Sequence, residues 1–320
     1  MTPRRLRHFL ALVEHAHFGR AAQALAVSQP ALSKSLQALE CELGVQLLER
    51  RSGGVTLTAF GQLLLDKSPS LLMAEEDLRR DIELLANHEI GTLRVALGPY
   101  PSMTSGYAAI ARTHALHPRL KVSARVAGWR EVAQQVASGV ADLGIAELSA
   151  LQGNPSFTCE LLANHTGRLF CRPGHPLLQE KPMELSQLLA YPWVASRIPS
   201  RVASLMPANL GAAGARDAVN GDFVPAIELD VPMQIARFLT DSDALALGTL
   251  AIFERELLAG EVALLSQQVL NMQSSYGIFY LRERALPPAA LAYLEQVRVI
   301  EEQIRQREAL LSRQLGLSEP

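Results

Sequence analysis

Residues 27–39 read Val-Ser-Gln-Pro-Ala-Leu-Ser-Lys-Ser-Leu-Gln-Ala-Leu, and this stretch decides the fold of the N-terminal part of the chain. Ser28 suits a helix N-cap, and Pro30 suits the first turn of a helix. Leucines at every third or fourth position from Leu32 predict one buried stripe. The Gln, Ser and Lys side chains between them then face away from the core, where they can contact base edges in a DNA major groove. A solvated helix face is the alternative.

Two shorter helices and a hairpin are predicted around this helix. Apolar residues at helical spacing from Leu6 to Val13 predict the first helix, and Phe18 with the alanines at 21 and 22 predicts a second that packs closely. After Gly44, two short strands surround the basic turn Arg50-Arg51-Ser-Gly-Gly. Three helices followed by such a wing predict a winged helix-turn-helix.

Charge is distributed unevenly along the chain. The 320 residues carry 30 basic and 32 acidic side chains, a formal net charge of −2. Residues 1–60 hold seven basic and four acidic groups, a net charge of +3, which leaves −5 for the rest. A small basic module on a mildly acidic body is typical of a nucleic-acid-binding domain joined to a second function. The absence of a membrane-spanning apolar run, a signal-peptide pattern or a disulfide framework predicts a cytoplasmic protein with no membrane partner.

A heptad of leucines follows the predicted wing. Leu64, Leu71, Leu78 and Leu85 are spaced by seven, which predicts a helix that pairs with a partner helix in a dimer. Pro69 interrupts this seam and predicts a kink. A long helix lying on its own domain is the alternative.

From Gly91 the sequence alternates between strand and helix patterns. Strands are predicted at residues 92–97, 120–127, 141–146, 169–171, 193–195, 244–248 and 275–281, and helices at 101–117, 129–138, 230–239, 251–259 and 288–311. This order predicts two α/β lobes whose strand ends meet at a shared cleft, the usual place for a small ligand.

Residues that follow the predicted strands are expected at this cleft. The candidate ligand-binding residues are Pro101, Ser102, Met103, Thr104, Trp129, Arg130, Ala146, Glu147, Ser196, Arg197, Val231, Pro232, Gly248 and Thr249. Pro101 to Thr104 are predicted to open a helix, so that their N–H groups and hydroxyls face the cleft. With Arg130 or Arg197 adding positive charge and Trp129 an apolar wall, we expect a small anionic or zwitterionic ligand, with a carboxylate as the first candidate.

Residues 6–66 resemble the winged helix-turn-helix of LysR-type transcriptional regulators. The matching stretches are Leu6–Glu14, Val27–Ser33, Glu42–Val45 and Leu47–Arg50, with Leu57-Thr58 and Gly61 beyond the wing. The chain from Gly91 resembles, more loosely, the effector-binding domain of the same family, which is similar to periplasmic solute-binding proteins. That resemblance rests on Gly91-Thr-Leu-Arg-Val, Ala141-Asp-Leu-Gly-Ile and Gly174-His-Pro-Leu.

The resemblance implies an α/β protein of three parts. These are a DNA-binding domain over residues 1–58, a linker helix for dimerisation over 59–89, and an effector-binding domain over 90–320, with lobe I at about 90–162 and 269–300 and lobe II at about 163–268. It implies promoter DNA, a small effector, RNA polymerase and further copies of the chain, in a dimer or tetramer, as partners. Gln29, Pro30, Ser33 and Lys34 match the base-contacting positions of the family. The full candidate DNA-binding set is Arg20, Ser28, Gln29, Pro30, Ser33, Lys34, Gln37, Arg50 and Arg51.

Two other functions were weighed against a regulator of this kind. A cytoplasmic enzyme that uses the C-terminal cleft is the first, but the sequence has no P-loop, dinucleotide-binding, nucleophile-elbow or His-Glu-x-x-His motif. We therefore expect no enzymatic activity, no cofactor and no metal. A regulator that senses oxidants through Cys159 and Cys171 is the second, and the usual burial of free cysteines speaks against it.

Overall fold

Three helices and a hairpin begin the computed structural model, which describes residues 1–51, 54–87, 91–151, 153–162, 164–180, 182–230, 235–266 and 272–317. The chain divides into two units, residues 1–88 and 89–320. The first elements are α1 Pro3–His15, α2 Phe18–Ala24, α3 Gln29–Leu43, β1 Leu48–Arg51 and β2 Gly54–Leu57. The predicted leucine stripe of α3 is buried in one core with Phe9, Leu12 and Ala21. The winged helix-turn-helix expected from the sequence is confirmed.

Helix α4 runs from Ala59 to Asn87 and contains Pro69. The start of this helix is seated on its own unit, because Leu64 and Leu72 pack against the core of the winged helix-turn-helix. Leu71 and Leu78 lie on the open side, with exposed fractions of 43% and 61%. The side chain of Leu85 lies outside the described residues. Leu64 was predicted to contact a partner helix, and the structure corrects this: Leu64 packs against the core of its own unit.

The second unit contains two large sheets and one small two-stranded sheet. Its strands are β3 Thr92–Leu97, β4 Lys121–Val126, β5 Leu143–Glu147, β6 Phe157–Leu161, β7 Thr166–Cys171, β8 Trp193–Ala195, β9 Gly214–Arg216, β10 Phe223–Pro225, β11 Ile227–Glu228, β12 Leu245–Gly248, β13 Ala263–Leu264, β14 Met272–Gln273 and β15 Tyr276–Leu281. Lobe I is the sheet with the order β4-β3-β5-β15-β6, and lobe II is the sheet with the order β11-β8-β12-β7-β13. Parallel pairs join β3 to β4 and β5, and β8 to β11 and β12. The two-lobed α/β architecture is therefore as expected.

Helices cover both sheets. They are α5 Pro99–Pro101, α6 Tyr107–Leu116, α7 Trp129–Ala137, α8 Leu185–Leu189, α9 Ser200–Ala203, α10 Ile235–Thr240, α11 Leu250–Leu258 and α12 Pro288–Gln314, with a π-helical segment at Ser102–Gly106. Of the helix predicted over residues 230–239, the structure describes α10 from Ile235, while Asp230 is not helical and 231–234 lie outside the described residues. No helix among the described residues is long and apolar enough to cross a bilayer.

Helix α12 belongs to both lobes. Its first half places Tyr293, Leu294 and Val297 in the core of lobe I. Its end places Leu311 in a core with Phe170 and Phe253 of lobe II. Residues 301–314, to which the sequence assigns no role, therefore continue the helix, and Leu311 packs on the second lobe.

Candidate functional site

Helix α3 presents a polar face to solvent. Gln29, Pro30, Lys34 and Gln37 are exposed, and Ser33 is half-buried. The face is held in place from below, since His8 Nδ1 on α1 lies 2.8 Å from Ser35 Oγ on α3. All these positions follow from the leucine stripe on the opposite side of the helix.

Caps and the wing complete the surface around α3. The Ser28 hydroxyl accepts a hydrogen bond from the Ala31 N–H at 3.3 Å, so Ser28 is the N-cap of this helix. His17 caps α2 in a way that the sequence reading missed, because its ring Nδ1 accepts from the Gly19 N–H at 3.0 Å. Arg20 is exposed on α2.

The wing is docked onto the end of α1. The Val55 N–H donates to the Ala16 carbonyl at 3.0 Å, and glycine is needed at position 54 because a Cβ there would meet the same oxygen. Arg50 and Arg51 belong to β1, although their side chains lie outside the described residues. The candidate DNA-contacting residues on α2, α3 and β1 thus belong to one folded unit.

A cleft of about 350 Å³ is the second candidate site, and it lies in the second unit between lobes I and II. It is lined by Gly98, Pro99, Tyr100, Pro101, Thr104, Gly128, Trp129, Arg130, Glu131, Glu147, His165, Gly167, Ser196, Arg197, Ile198, Pro199, Arg201, Val202, Asn220, Glu228, Asp230, Leu247, Gly248, Thr249, Ile252, Met272, Gln273, Ser274 and Tyr276. The strand-end reasoning therefore located a cavity of the size that small ligands use.

Most of the predicted ligand-binding residues line this cleft. Those that do are Pro101, Thr104, Trp129, Arg130, Glu147, Ser196, Arg197, Gly248 and Thr249. Ser102, Met103 and Ala146 do not, while Val231 and Pro232 lie outside the described residues. Ala146 is fully buried in a lobe I core because successive side chains of a strand point to opposite faces, and its neighbour Glu147 takes the cleft side.

The helix after β3 begins earlier than the sequence predicts. It starts at Pro99, so Ser102 and Thr104 lie in its second turn rather than at its N-terminus. The Ser102 hydroxyl donates to the Pro99 carbonyl at 2.6 Å, and the Thr104 hydroxyl donates to the Tyr100 carbonyl at 3.2 Å. The Ser102 hydroxyl serves its own helix, which corrects the expectation that it faces a ligand. Thr104 lines the cleft, and its hydroxyl also lies 3.4 Å from the Tyr276 hydroxyl.

The arginines of the cleft are paired with carboxylates of the protein. Arg130 Nη2 lies 2.9 Å from Asp222 Oδ2, and Arg197 lies 3.0 Å from Asp217 and 3.2 Å from Glu228. Arg201, which the sequence reading did not select, lies 2.8 Å from Glu147. The free positive charge predicted for Arg130 and Arg197 is therefore already neutralised.

His165 is another cleft residue that sequence reasoning missed. Its Nδ1 lies 2.6 Å from Glu308 and its Nε2 lies 3.1 Å from Glu301, both on α12. Burial lowers the pKa of His165, but hydrogen bonds and charges of Glu301 and Glu308 together outweigh it and raise the pKa to about 9. Nothing local marks this histidine in the sequence, because both partners are more than 130 residues away.

The two cysteines of the redox hypothesis have different environments. Cys171 is fully buried on β7, and burial raises its pKa to about 12. Cys159 is exposed on β6, and its pKa is also raised, chiefly by burial of the thiol. Thiols with raised pKa values carry little thiolate, which is the reactive form. The geometry therefore gives no support to an oxidant sensor at this pair. No cluster of three metal-ligating side chains occurs in the described part of the chain.

Both units match models of known protein families. Residues 3–62 match the model for bacterial regulatory helix-turn-helix proteins of the lysR family, and residues 86–299 match the model for the LysR substrate binding domain. The chain belongs to the LysR family of transcriptional regulators. The family combines a DNA-binding winged helix-turn-helix with an effector-binding domain, which are the two units described above.

Individual relatives cover nearly the whole chain. The SDS degradation transcriptional activation protein of Pseudomonas sp. is 36% identical over 293 residues, which are 90% of this chain and 93% of the relative. The regulator GbpR of Azospirillum brasilense is 28% identical over 92% of this chain and 85% of its own length. These relatives are named as transcriptional regulators or activators rather than as enzymes.

Solved structures share the fold. Full-length CbnR in complex with its target DNA matches with a TM-score of 0.56 and 21% identity, over 94% of this chain and 100% of CbnR. LysG of Corynebacterium glutamicum with a bound arginine effector matches with a TM-score of 0.56 and 16% identity, over 93% of this chain and 98% of LysG.

Proposed function

We propose that this LysR-type regulator acts in the cytoplasm, where it reads promoter DNA with the exposed face of α3 and answers to a small molecule held in the cleft between its two lobes. Gln29, Ser33 and Lys34 contact base edges, with Pro30 and Gln37 beside them, and Ser28 fixes the start of the helix. Arg20, Arg50 and Arg51 contact phosphates. The three functional parts are residues 1–58, 59–89 and 90–320.

The observation that carries this proposal is the polar, solvent-facing side of α3 in a winged helix-turn-helix whose other side is a complete core. Helices in this position enter the major groove, where Gln and Ser bond base edges. A second copy of the chain, paired through the exposed side of α4, would present a second α3 to a second half-site, and RNA polymerase would be the recipient of the signal.

Alanine variants at base-contacting and control positions test the proposal. Gln29→Ala and Ser33→Ala should each cost about 1–3 kcal/mol of binding to a preferred site and reduce the preference for that site. Gln134→Ala, on an exposed position of α7 in the other unit, is the matched control and should leave affinity unchanged. Fluorescence anisotropy against preferred and scrambled duplexes measures both quantities. Equal losses on both duplexes would show that α3 contacts only the backbone.

A screen for ligands of the cleft should include more than charged metabolites. Because one relative is named for SDS degradation, compounds with an alkyl chain belong in that screen beside small acids and amino acids.

A further inference from the structure

Two of the three arginines that line the cleft pair with carboxylates of the opposite lobe. Arg130 of lobe I pairs with Asp222 of lobe II, and Arg201 of lobe II pairs with Glu147 of lobe I. Tyr100 of lobe I adds a third link, since its hydroxyl donates to the Leu247 carbonyl of lobe II at 2.9 Å. A ligand that recruited either arginine would have to displace a carboxylate that is buried or nearly so.

Two further acidic groups give the cleft a negative bias. Glu131 and Asp230 line the cleft, and neither forms an ion pair with a cation in the described part of the chain. Burial and the charge of Asp230 together raise the pKa of the nearby Tyr100 hydroxyl. Both carboxylates are exposed, and their charge disfavours a ligand carboxylate because like charges repel.

Two buried polar groups at the cleft wall have no partner among the described residues. They are the indole N–H of Trp129 on lobe I and the hydroxyl of Thr249 on lobe II. Each residue is only 8% exposed. Thr249 is the N-cap of the nine-residue helix α11, yet its side chain makes no capping hydrogen bond. Both atoms have almost no accessible surface with the cleft empty, so a ligand reaches them only when the wall side chains shift. Because a buried donor without an acceptor is costly, such a shift is favoured by a ligand that supplies the missing hydrogen bonds.

The remaining wall is largely apolar. Ile198, Val202, Leu247, Ile252 and Met272 contribute from lobe II and the crossover region, and the polar side chains Ser196 and Thr104 are bonded to backbone carbonyls. Apolar walls with few open polar groups gain most of their binding free energy from burial of an apolar ligand.

We infer that the cleft binds an uncharged, largely apolar molecule whose oxygen atoms accept hydrogen bonds from Trp129 and Thr249, such as a medium-chain ester, ketone or alcohol. This inference rests on the proposed function of the cleft as the effector site. It replaces the carboxylate expected from the sequence, because Arg130 and Arg197, which would have held a carboxylate, are already paired with carboxylates of the protein.

Calorimetric titration of the full chain with three probes tests the ligand class. Methyl octanoate and sodium octanoate have the same chain and differ in charge, and succinate is a small polar dianion. Methyl octanoate should bind at least tenfold more tightly than octanoate, and succinate should give no heat of binding. Tighter binding of octanoate or succinate, or no binding of methyl octanoate up to its solubility limit, overturns the inference.

Variants test the two polar contacts. Trp129→Phe keeps an aromatic wall without the N–H, and Thr249→Val keeps the shape of the side chain without the hydroxyl. Each should weaken methyl octanoate binding about three- to tenfold. Thr240→Val, an exposed threonine on α10 away from the cleft, is the control and should change nothing. Unchanged affinity in both cleft variants would place the polar contacts elsewhere and overturn the assignment.

DNA binding measured on the same samples distinguishes an error in the ligand class from an error in the proposed function. Failure of methyl octanoate with sequence-specific DNA binding intact overturns the ligand class alone. If the wild-type chain binds DNA without any sequence preference, the proposed function is overturned instead.

Discussion

His165 shows how a single buried residue connects several parts of the second unit. Its ring is stacked on Tyr276 with centroids 5.4 Å apart, and the Tyr276 hydroxyl donates to Glu301 at 3.0 Å. Its backbone N–H donates to Ser274 Oγ at 2.9 Å, which joins the two segments, near residues 165 and 274, where the chain passes from one lobe to the other. The imidazole therefore lies where the chain passes between the lobes and contacts both carboxylates of α12.

The raised pKa of His165 predicts a pH-dependent stability. The folded pKa of about 9 lies above the unfolded value of 6.5, so the stabilisation is complete below pH 6.5 and is lost as pH rises through 9. A change of this size corresponds to about 3 kcal/mol in the free energy of unfolding. Urea unfolding followed by tryptophan fluorescence reports on this unit, because both tryptophans of the chain, Trp129 and Trp193, lie in it.

Two histidine variants separate this effect from other titrations. His165→Gln should remove most of the stability loss between pH 6.5 and 9.5. His114→Gln, at an exposed position of α6, should keep the wild-type pH dependence. If His165→Gln loses as much stability between pH 6.5 and 9.5 as the wild-type chain, the contacts of His165 with Glu301 and Glu308 do not stabilise the fold.

At the residue scale, the sequence predicted positions better than bonding partners. Trp129, Glu147 and Thr249 were predictable because a strand end can be read from local alternation. The ion pair of Arg130 with Asp222 was not, since the two residues are 92 positions apart and meet only when the lobes fold together. Partners of this kind changed the expected ligand from an anion to an uncharged molecule.

Among the elements, helix α4 shows that leucines of one heptad pattern can have two different roles. Leu64 and Leu72 contact the core of the winged helix-turn-helix, while Leu71 and Leu78 expose 43% and 61% of their surface. A heptad pattern alone cannot distinguish these uses, because both require apolar residues at regular spacing. The exposed leucines are the ones available to a partner helix.

Charge substitution on the open side of α4 tests dimerisation. Leu71→Asp or Leu78→Asp should abolish the dimer, since a carboxylate buried between two apolar helices has no partner. Light scattering measures the mass, and near-ultraviolet circular dichroism checks that the second unit stays folded. Val219→Asp, on a loop position that is 95% exposed, is the control and should remain dimeric. A fully dimeric Leu78→Asp variant would assign this face of α4 to another role.

Helix α12 is the element whose packing on both lobes the sequence did not predict. Leu311 is 4% exposed in a lobe II core, whereas its neighbour Leu310 is 60% exposed. Leu311→Ala should lower the free energy of unfolding by about 2–4 kcal/mol, because it removes buried methyl groups and leaves a cavity. Leu310→Ala should stay within about 0.5 kcal/mol of the wild type. Equal, small effects in urea unfolding would show that the end of α12 is not part of the core.

On the scale of the whole molecule, the order of elements was predictable and their joint geometry was not. Alternating strand and helix patterns indicated two α/β lobes, since parallel sheets require crossover helices. The links that close the cleft, such as Arg201 with Glu147, join segments from different lobes and carry no local signal. The N-terminal unit was easier to predict because its core is built from near neighbours in sequence.

Selection of bound sequences from a pool of random DNA duplexes tests the central claim most directly, namely that α3 reads DNA sequence for this regulator. The wild-type full chain should enrich one motif with two similar half-sites, as expected for two copies of α3 on one duplex. Gln29→Ala should lose or change the base preference at one position in each half-site, while Gln134→Ala enriches the wild-type motif. Enrichment of no motif by the wild-type chain, or of one unchanged motif by Gln29→Ala, would contradict the account.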